Sequence, residues 1–137
     1  MTLKELVRAA MYYEMEDINV YAEEADLFGG DARAGAELRA LYGRVSEEKR
    51  ERLRELGRLL KEGTGFRQRP NPAAKSAEAS LRAHVARTET AVRNYSALGR
   101  VILKPETKEA LAGIIVREQG LLAELRALQA ALKKERP

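Results

Sequence analysis

Helix-breaking residues fall in only three places along this chain, and the stretches between them are long. The breaks are Gly29-Gly30-Asp31, the segment running from Gly63-Thr64-Gly65 to Pro70-Asn71-Pro72, and Lys104-Pro105. Glycine and proline punctuate regular structure more strongly than any other residue. They leave four segments too long for strands and rich in Leu, Ala, Glu, Arg and Lys, which lose little on entering a helix. The spacing predicts helices over about Leu3–Phe28, Ala32–Glu62, Ala74–Leu103 and Glu106–Lys134. Pro105 suits a first helical position, where its missing N–H costs nothing. A length of 137 residues is enough for one continuous core, so a single domain over 1–137 is expected.

The breaks also differ in length, which bears on topology. The first and last are tight, so the first two helices should form one antiparallel hairpin and the last two another. The middle break leaves about ten residues without helical character, enough at about 3.3 Å per residue to run roughly 33 Å along a bundle. The expected fold is therefore all-α: an antiparallel four-helix bundle with a long central crossover between two helical hairpins.

At 100° per residue each segment has an inward apolar stripe, and polar residues interrupt these stripes near mid-length. Helix one places Glu14 and Asp17 among Leu3, Val7, Ala10, Ile18 and Tyr21, and helix two places Lys49 and Arg52 among Leu38, Val45, Leu53, Leu56 and Leu60. The predicted helix-three stripe is Leu81, Val85, Thr88, Val92, Tyr95, Gly99 and Ile102, and in helix four Glu118 stands between Ile114 and Leu121. The halves are weakly repetitive: an offset of 74 pairs Ile18 with Val92, Tyr21 with Tyr95 and Glu14 with Thr88, while an offset of 69 pairs Lys49 with Glu118 and Arg52 with Leu121.

Several function classes are excluded. Without cysteine there are no disulfides, thiolate metal sites, iron–sulfur clusters or cysteine nucleophiles. Glu5, Glu14 and Glu16 lie within the apolar start of the chain, which argues against a signal peptide or a membrane span and points to a soluble, cytoplasmic setting. The net charge is +4, but 25 basic and 21 acidic residues are interleaved, so a nucleic-acid partner is not expected. A small nucleic-acid-associated or regulatory module would need the basic residues to gather on one face. The lone histidine, His84, cannot by itself complete a structural zinc site and reads as an ordinary hydrogen-bonded or exposed histidine. Tyr21 and Tyr95 read as core aromatics whose hydroxyls seek a partner.

The segments EMEDINVY in helix one, LYGRVSEEKRERL in helix two and LAGIIVREQGLL in helix four carry a family resemblance over nearly the whole chain. The chain resembles the rubrerythrin-type branch of the ferritin-like superfamily. Members place a carboxylate seven residues before a tyrosine in helices one and three and a Glu-x-x-His motif in helices two and four, and these hold two iron or manganese ions. Here Glu14, seven before Tyr21, and Glu118 match. Thr88, Leu121, Lys49 and Arg52 stand at the other ligand positions. The resemblance thus implies a degenerate di-metal site, no cofactor and no catalytic residues, with Glu14, Glu118, Lys49 and Arg52 forming a buried charge cluster instead. It implies a non-catalytic protein of binding or structural role, with room for a protein partner. In an alternative register of helix two, Glu48 and Glu51 face inward, and a metal-binding protein of iron or peroxide handling could use Glu14, Glu48, Glu51, Glu89 and Glu118 with iron or manganese.

The opposite face of helix one carries Tyr13, Val20 and Leu27 at steps of seven, joined by Tyr12 and flanked by Met15. This line of about 21 Å is the expected seam of a homodimer, unless the crossover, with Phe66, covers it.

Overall fold

The computed structural model describes residues 2–31, 33–63 and 73–134. Four helices account for nearly all of them: α1 (Leu3–Phe28), α2 (Gly35–Leu60), α3 (Ala77–Val101) and α4 (Pro105–Lys134). There is no strand among the described residues.

Local chemistry sets the helix ends. Thr2 and Glu5 form a capping box at the start of α1, each side chain accepting the other's backbone N–H at 3.2 Å. Ser76 caps α3 by accepting the Ala79 N–H at 3.1 Å. Both ends of α2 fall short of their expected limits because Ala34 and Lys61 adopt the left-handed conformation, each with φ 53°, which cannot continue a right-handed helix. Between α1 and α2 the backbone nearly touches itself. A Cβ on Gly35 would lie 2.9 Å from the Gly29 carbonyl oxygen, and only glycine permits that approach.

Cross-helix contacts give the helix directions. Arg52 meets Glu14 while Ser46 donates to the Ile18 carbonyl, so α2 runs against α1. Tyr95 meets Glu14 while His84 meets Glu24, so α3 also runs against α1. Arg58 pairs with Glu106 and Arg44 with Glu124, so α4 runs against α2. It follows that α2 and α3 are parallel. Leu60 therefore lies beside Val7 and Ile102 at one end of the bundle, and Ala77 beside Leu38 and Leu132 at the other. The course of the expected crossover, residues 64–72, lies outside the described residues, but its flanking helix ends stand a bundle length apart.

The core is divided in two. One apolar cluster gathers Val7, Met11, Ile18, Leu56, Tyr95, Leu98 and Ile114, and the other Tyr21, Leu38, Tyr42, Leu81, Leu121, Leu125 and Leu132. A polar layer of Glu14, Asp17, Lys49, Arg52, Thr88 and Glu118, all buried, lies at the level between them. One stripe differs from the sequence expectation. In α3 the deeply buried residues are His84, Ala91 and Leu98, whereas Val85, Val92 and Gly99 are only half-buried. The helix is turned about its axis so that small or polar residues (Ala77, Ser80, His84, Ala91) enter the core while Val85 and Val92 stay at its edge.

Candidate functional site

The polar layer is built from i, i+3 pairs that share a helix face. Glu14 and Asp17 come from α1, Lys49 and Arg52 from α2, Glu118 from α4, and Arg87 and Tyr95 approach from α3. The Lys49 ammonium is enclosed by carboxylates: Nζ is 2.7 Å from Asp17 Oδ2, 3.0 Å from Glu118 Oε1 and 3.9 Å from Glu14 Oε2. Arg52 Nη1 donates to Glu14 Oε1 at 3.2 Å and also to Glu118 Oε1. The Tyr95 hydroxyl donates to Glu14 Oε1 at 2.6 Å. Arg87 closes the cluster from the flank, its Nη2 2.6 Å from Asp17 Oδ1 and 3.5 Å from Glu16 Oε2. Its guanidinium lies 5.8 Å from the Tyr13 ring centroid.

With Arg87 counted in, three buried carboxylates thus face three cations in formal balance, and half-buried Glu16 stands beside Arg87 at the edge of the layer. Burial pushes the Asp17 carboxyl up, but Lys49 and Arg87, through charge and hydrogen bonds, outweigh it and hold Asp17 below its ordinary value. Burial pulls Lys49 down, yet Asp17, Glu14 and Glu118 together raise it above the usual lysine range. Arg52 is raised against its own burial by Glu14 and Glu118. Burial, reinforced by Glu14, drives the Tyr95 phenol well above its normal value, so it stays a neutral donor. Glu14 Oε2, Glu118 Oε2 and Arg52 Nε are buried without a hydrogen-bond partner among the described residues. The layer is saturated in charge rather than in hydrogen bonds, and by desolvation alone it need not stabilise the fold relative to an apolar core.

A second polar group lies one to two helical turns away, between α1 and α3. Glu24 Oε1 accepts from Ser80 Oγ at 2.6 Å and bonds His84 Nε2 at 2.8 Å, while Oε2 accepts the Ala74 N–H at 3.2 Å. The His84 ring stacks on Tyr21 with centroids 3.8 Å apart. Burial pushes Glu24 up, and the His84 and Ser80 hydrogen bonds more than reverse this, leaving it below its ordinary value.

The structure brings Glu14, Glu118, Lys49 and Arg52 together. It corrects the list in two ways, since Asp17 and Arg87 belong to the same cluster. Asp17 could have been found from its place on the inward stripe three residues after Glu14. Arg87 lies on the flank of α3 and reaches Asp17 only through the length of its side chain, which no stripe reveals. Thr88 is buried and donates to the His84 carbonyl at 2.7 Å. Leu121 is buried among apolar residues. Glu48 and Glu51 are exposed, so the alternative register of helix two is not adopted, and Glu89 pairs instead with Arg126 at the surface, at 3.6 Å. Of the two readings of His84, hydrogen-bonded or exposed, the structure has the first: it is buried and bonded to Glu24. The outward line on α1 is also altered. Met15 is buried and Tyr12 packs on the core, Tyr13 and Val20 are half-buried, and only Leu27, 55% exposed, stands fully out.

Among the described residues no group of three His, Asp or Glu side chains is arranged to hold a metal ion, and no helix is long and apolar enough to cross a membrane. The donor set does not fit a pair of divalent ions, since Lys49 and Arg52 lie among the carboxylates of the mid-bundle cluster. No protein-family model, curated protein sequence or solved structure matches the chain.

Proposed function

We propose that this chain is a non-catalytic, ferritin-like protein of the rubrerythrin type, in which an internal ion cluster has taken the place of a di-metal centre. The observation that carries the reading is Lys49, whose ammonium is ringed by oxygens of Asp17, Glu118 and Glu14 at 2.7, 3.0 and 3.9 Å. It is a built-in cation at mid-bundle. The internal repeat supports the same ancestry: Tyr95 bonds Glu14, and the pair equivalent to it under the offset of 74 is Tyr21 and Thr88, both buried. Lys49 and Glu118, equivalent under the offset of 69, bond each other, as residues beside a pseudo-two-fold axis would.

The test has two arms. The purified chain should hold no stoichiometric iron, manganese or zinc by mass spectrometry after dialysis, and should lack ferroxidase and peroxidase activity. About two tightly held transition-metal ions per chain would sink the reading. In the second arm Lys49→Glu with Arg52→His should create affinity for manganese that the wild type lacks, seen as a metal-dependent rise in melting temperature.

We also propose a homodimer about α1, in which Val20 and Leu27 meet their copies, with Tyr13 at the margin where Arg87 already engages it. The exposure of Leu27 supports this seam. Sedimentation of the wild type and of Val20→Glu tests it: a wild-type monomer at tens of micromolar, or a dimer indifferent to the substitution, ends the idea.

A further inference from the structure

Where α1 and α4 begin and α2 and α3 finish, the helix ends surround an open cavity of about 690 Å³. Its size falls within the range of about 300–1,000 Å³ typical of small-molecule sites. Val7 and Ile102, both buried, and half-buried Leu60 form its inner wall. Its mouth is apolar too: Leu3 is 47% exposed, Val101 47% and Leu103 88%. Five large apolar side chains are exposed among the described residues, and three of them line this mouth, so the exposure is concentrated rather than scattered.

The charges around the mouth are one-sided. Lys4, Lys61 and Lys104 line it, all exposed, and Glu62 is its one acidic lining residue among those described. No ion pair engages any of the three lysines among the described residues. Lys61 occupies the left-handed position immediately after α2, with φ 53°, where glycine is the usual and unstrained choice. A lysine is thus kept at the rim at a conformational cost.

We propose that this cavity binds a single-chain anionic amphiphile, with its acyl chain against Val7, Leu60 and Ile102 and its carboxylate among Lys4, Lys61 and Lys104. An apolar wall without a charged rim would suit any hydrophobe, and a charged rim without the wall would suit any anion. The combination selects a ligand with both, and a carboxylate on an alkyl chain is the simplest such ligand. The site is separate from the ion cluster, and its occupancy does not depend on the ancestry proposed above.

The test is calorimetric titration of the whole chain with octanoate, decanoate and dodecanoate below their micelle concentrations. One site per chain is expected, with affinity rising about fourfold per added methylene and so about fifteenfold per two. Lys61→Glu with Lys104→Glu, both at exposed positions, should weaken dodecanoate binding at least tenfold while leaving the helical circular dichroism and its melting unchanged. Val101→Trp, which fills the mouth, should abolish binding. Dodecyltrimethylammonium, with the same tail and the opposite charge, should not bind. The proposal is overturned by an absence of saturable binding, by affinity independent of chain length, by equal binding of the cationic analogue, or by a charge-reversed variant that binds as well as wild type. Tighter binding to phosphatidylglycerol vesicles than to dodecanoate would also overturn it, assigning the patch to a membrane surface instead.

Discussion

Replacing Lys49 with methionine removes the cation that three carboxylates share and leaves the polar layer with Glu14, Asp17 and Glu118 against only Arg52 and Arg87. The site is 1% exposed, so solvent cannot make up the deficit, and Asp17 and Glu118 each lose a direct charged hydrogen bond, of 2.7 and 3.0 Å. Breaking a buried pair from one side costs about 3–5 kcal/mol, a large share of a domain stability of about 5–15 kcal/mol. At roughly 2.1 cal/mol/K per residue the unfolding entropy of a 137-residue chain is about 0.29 kcal/mol/K, so the melting temperature should fall by roughly 10–17 °C. Adding Glu118→Gln restores a neutral layer, two carboxylates facing two guanidinium groups. The double variant should therefore be more stable than Lys49→Met alone, with a coupling energy of about 1–3 kcal/mol between the two sites. Urea unfolding followed by circular dichroism, with all four members of the cycle, measures this. A loss below about 1 kcal/mol for Lys49→Met would refute the reasoning, and so would additivity of the two substitutions, because either result means that the charges in the layer do not sense one another.

The lowered values of Asp17 and Glu24 make stability fully present above the ordinary carboxylate range and lost as pH falls through their folded-state values, so urea midpoints should be flat near neutrality and drop in acid. Tyr21, Tyr42 and Tyr95 are raised, each chiefly by burial. Their contribution is present below about pH 10 and lost as pH rises above it, and tyrosinate absorbance at 295 nm should report these three only as the chain unfolds. Tyr95→Phe removes the 2.6 Å donor to Glu14 and should cost about 1–3 kcal/mol, read as a shift in urea midpoint at constant slope; no shift would mean that Arg52 alone satisfies Glu14. Thr2→Ala breaks the capping box of α1 and should cost about 1 kcal/mol, seen as faster hydrogen exchange confined to the first turn, and exchange that spreads through α1 would contradict so local a role.

The fold class, the four helices and the ends of α1 and α4 were legible in the sequence because breakers and periodicity act locally: Pro105 begins α4, Phe28 ends α1, and Lys49 and Arg52 fall inward since the stripe through Val45, Leu53 and Leu56 requires it. That same stripe turns Glu48 and Glu51 to the surface. By contrast, α2 and α3 each stop short of their expected limits at both ends. Three things needed the tertiary structure. Periodicity fixes an inward face only to within about a residue's rotation, and in α3 it was His84, not Val85, that entered the core, where the buried Glu24 supplies its partner. Arg87 joined the charge cluster from the flank, because a long flexible cation reaches a partner that only the approach of α1 supplies. Leu3 and Leu60, both on predicted inward stripes, ended beside the cavity where four helix ends meet, since a stripe says which way a side chain points but not whether another helix extends far enough to cover it.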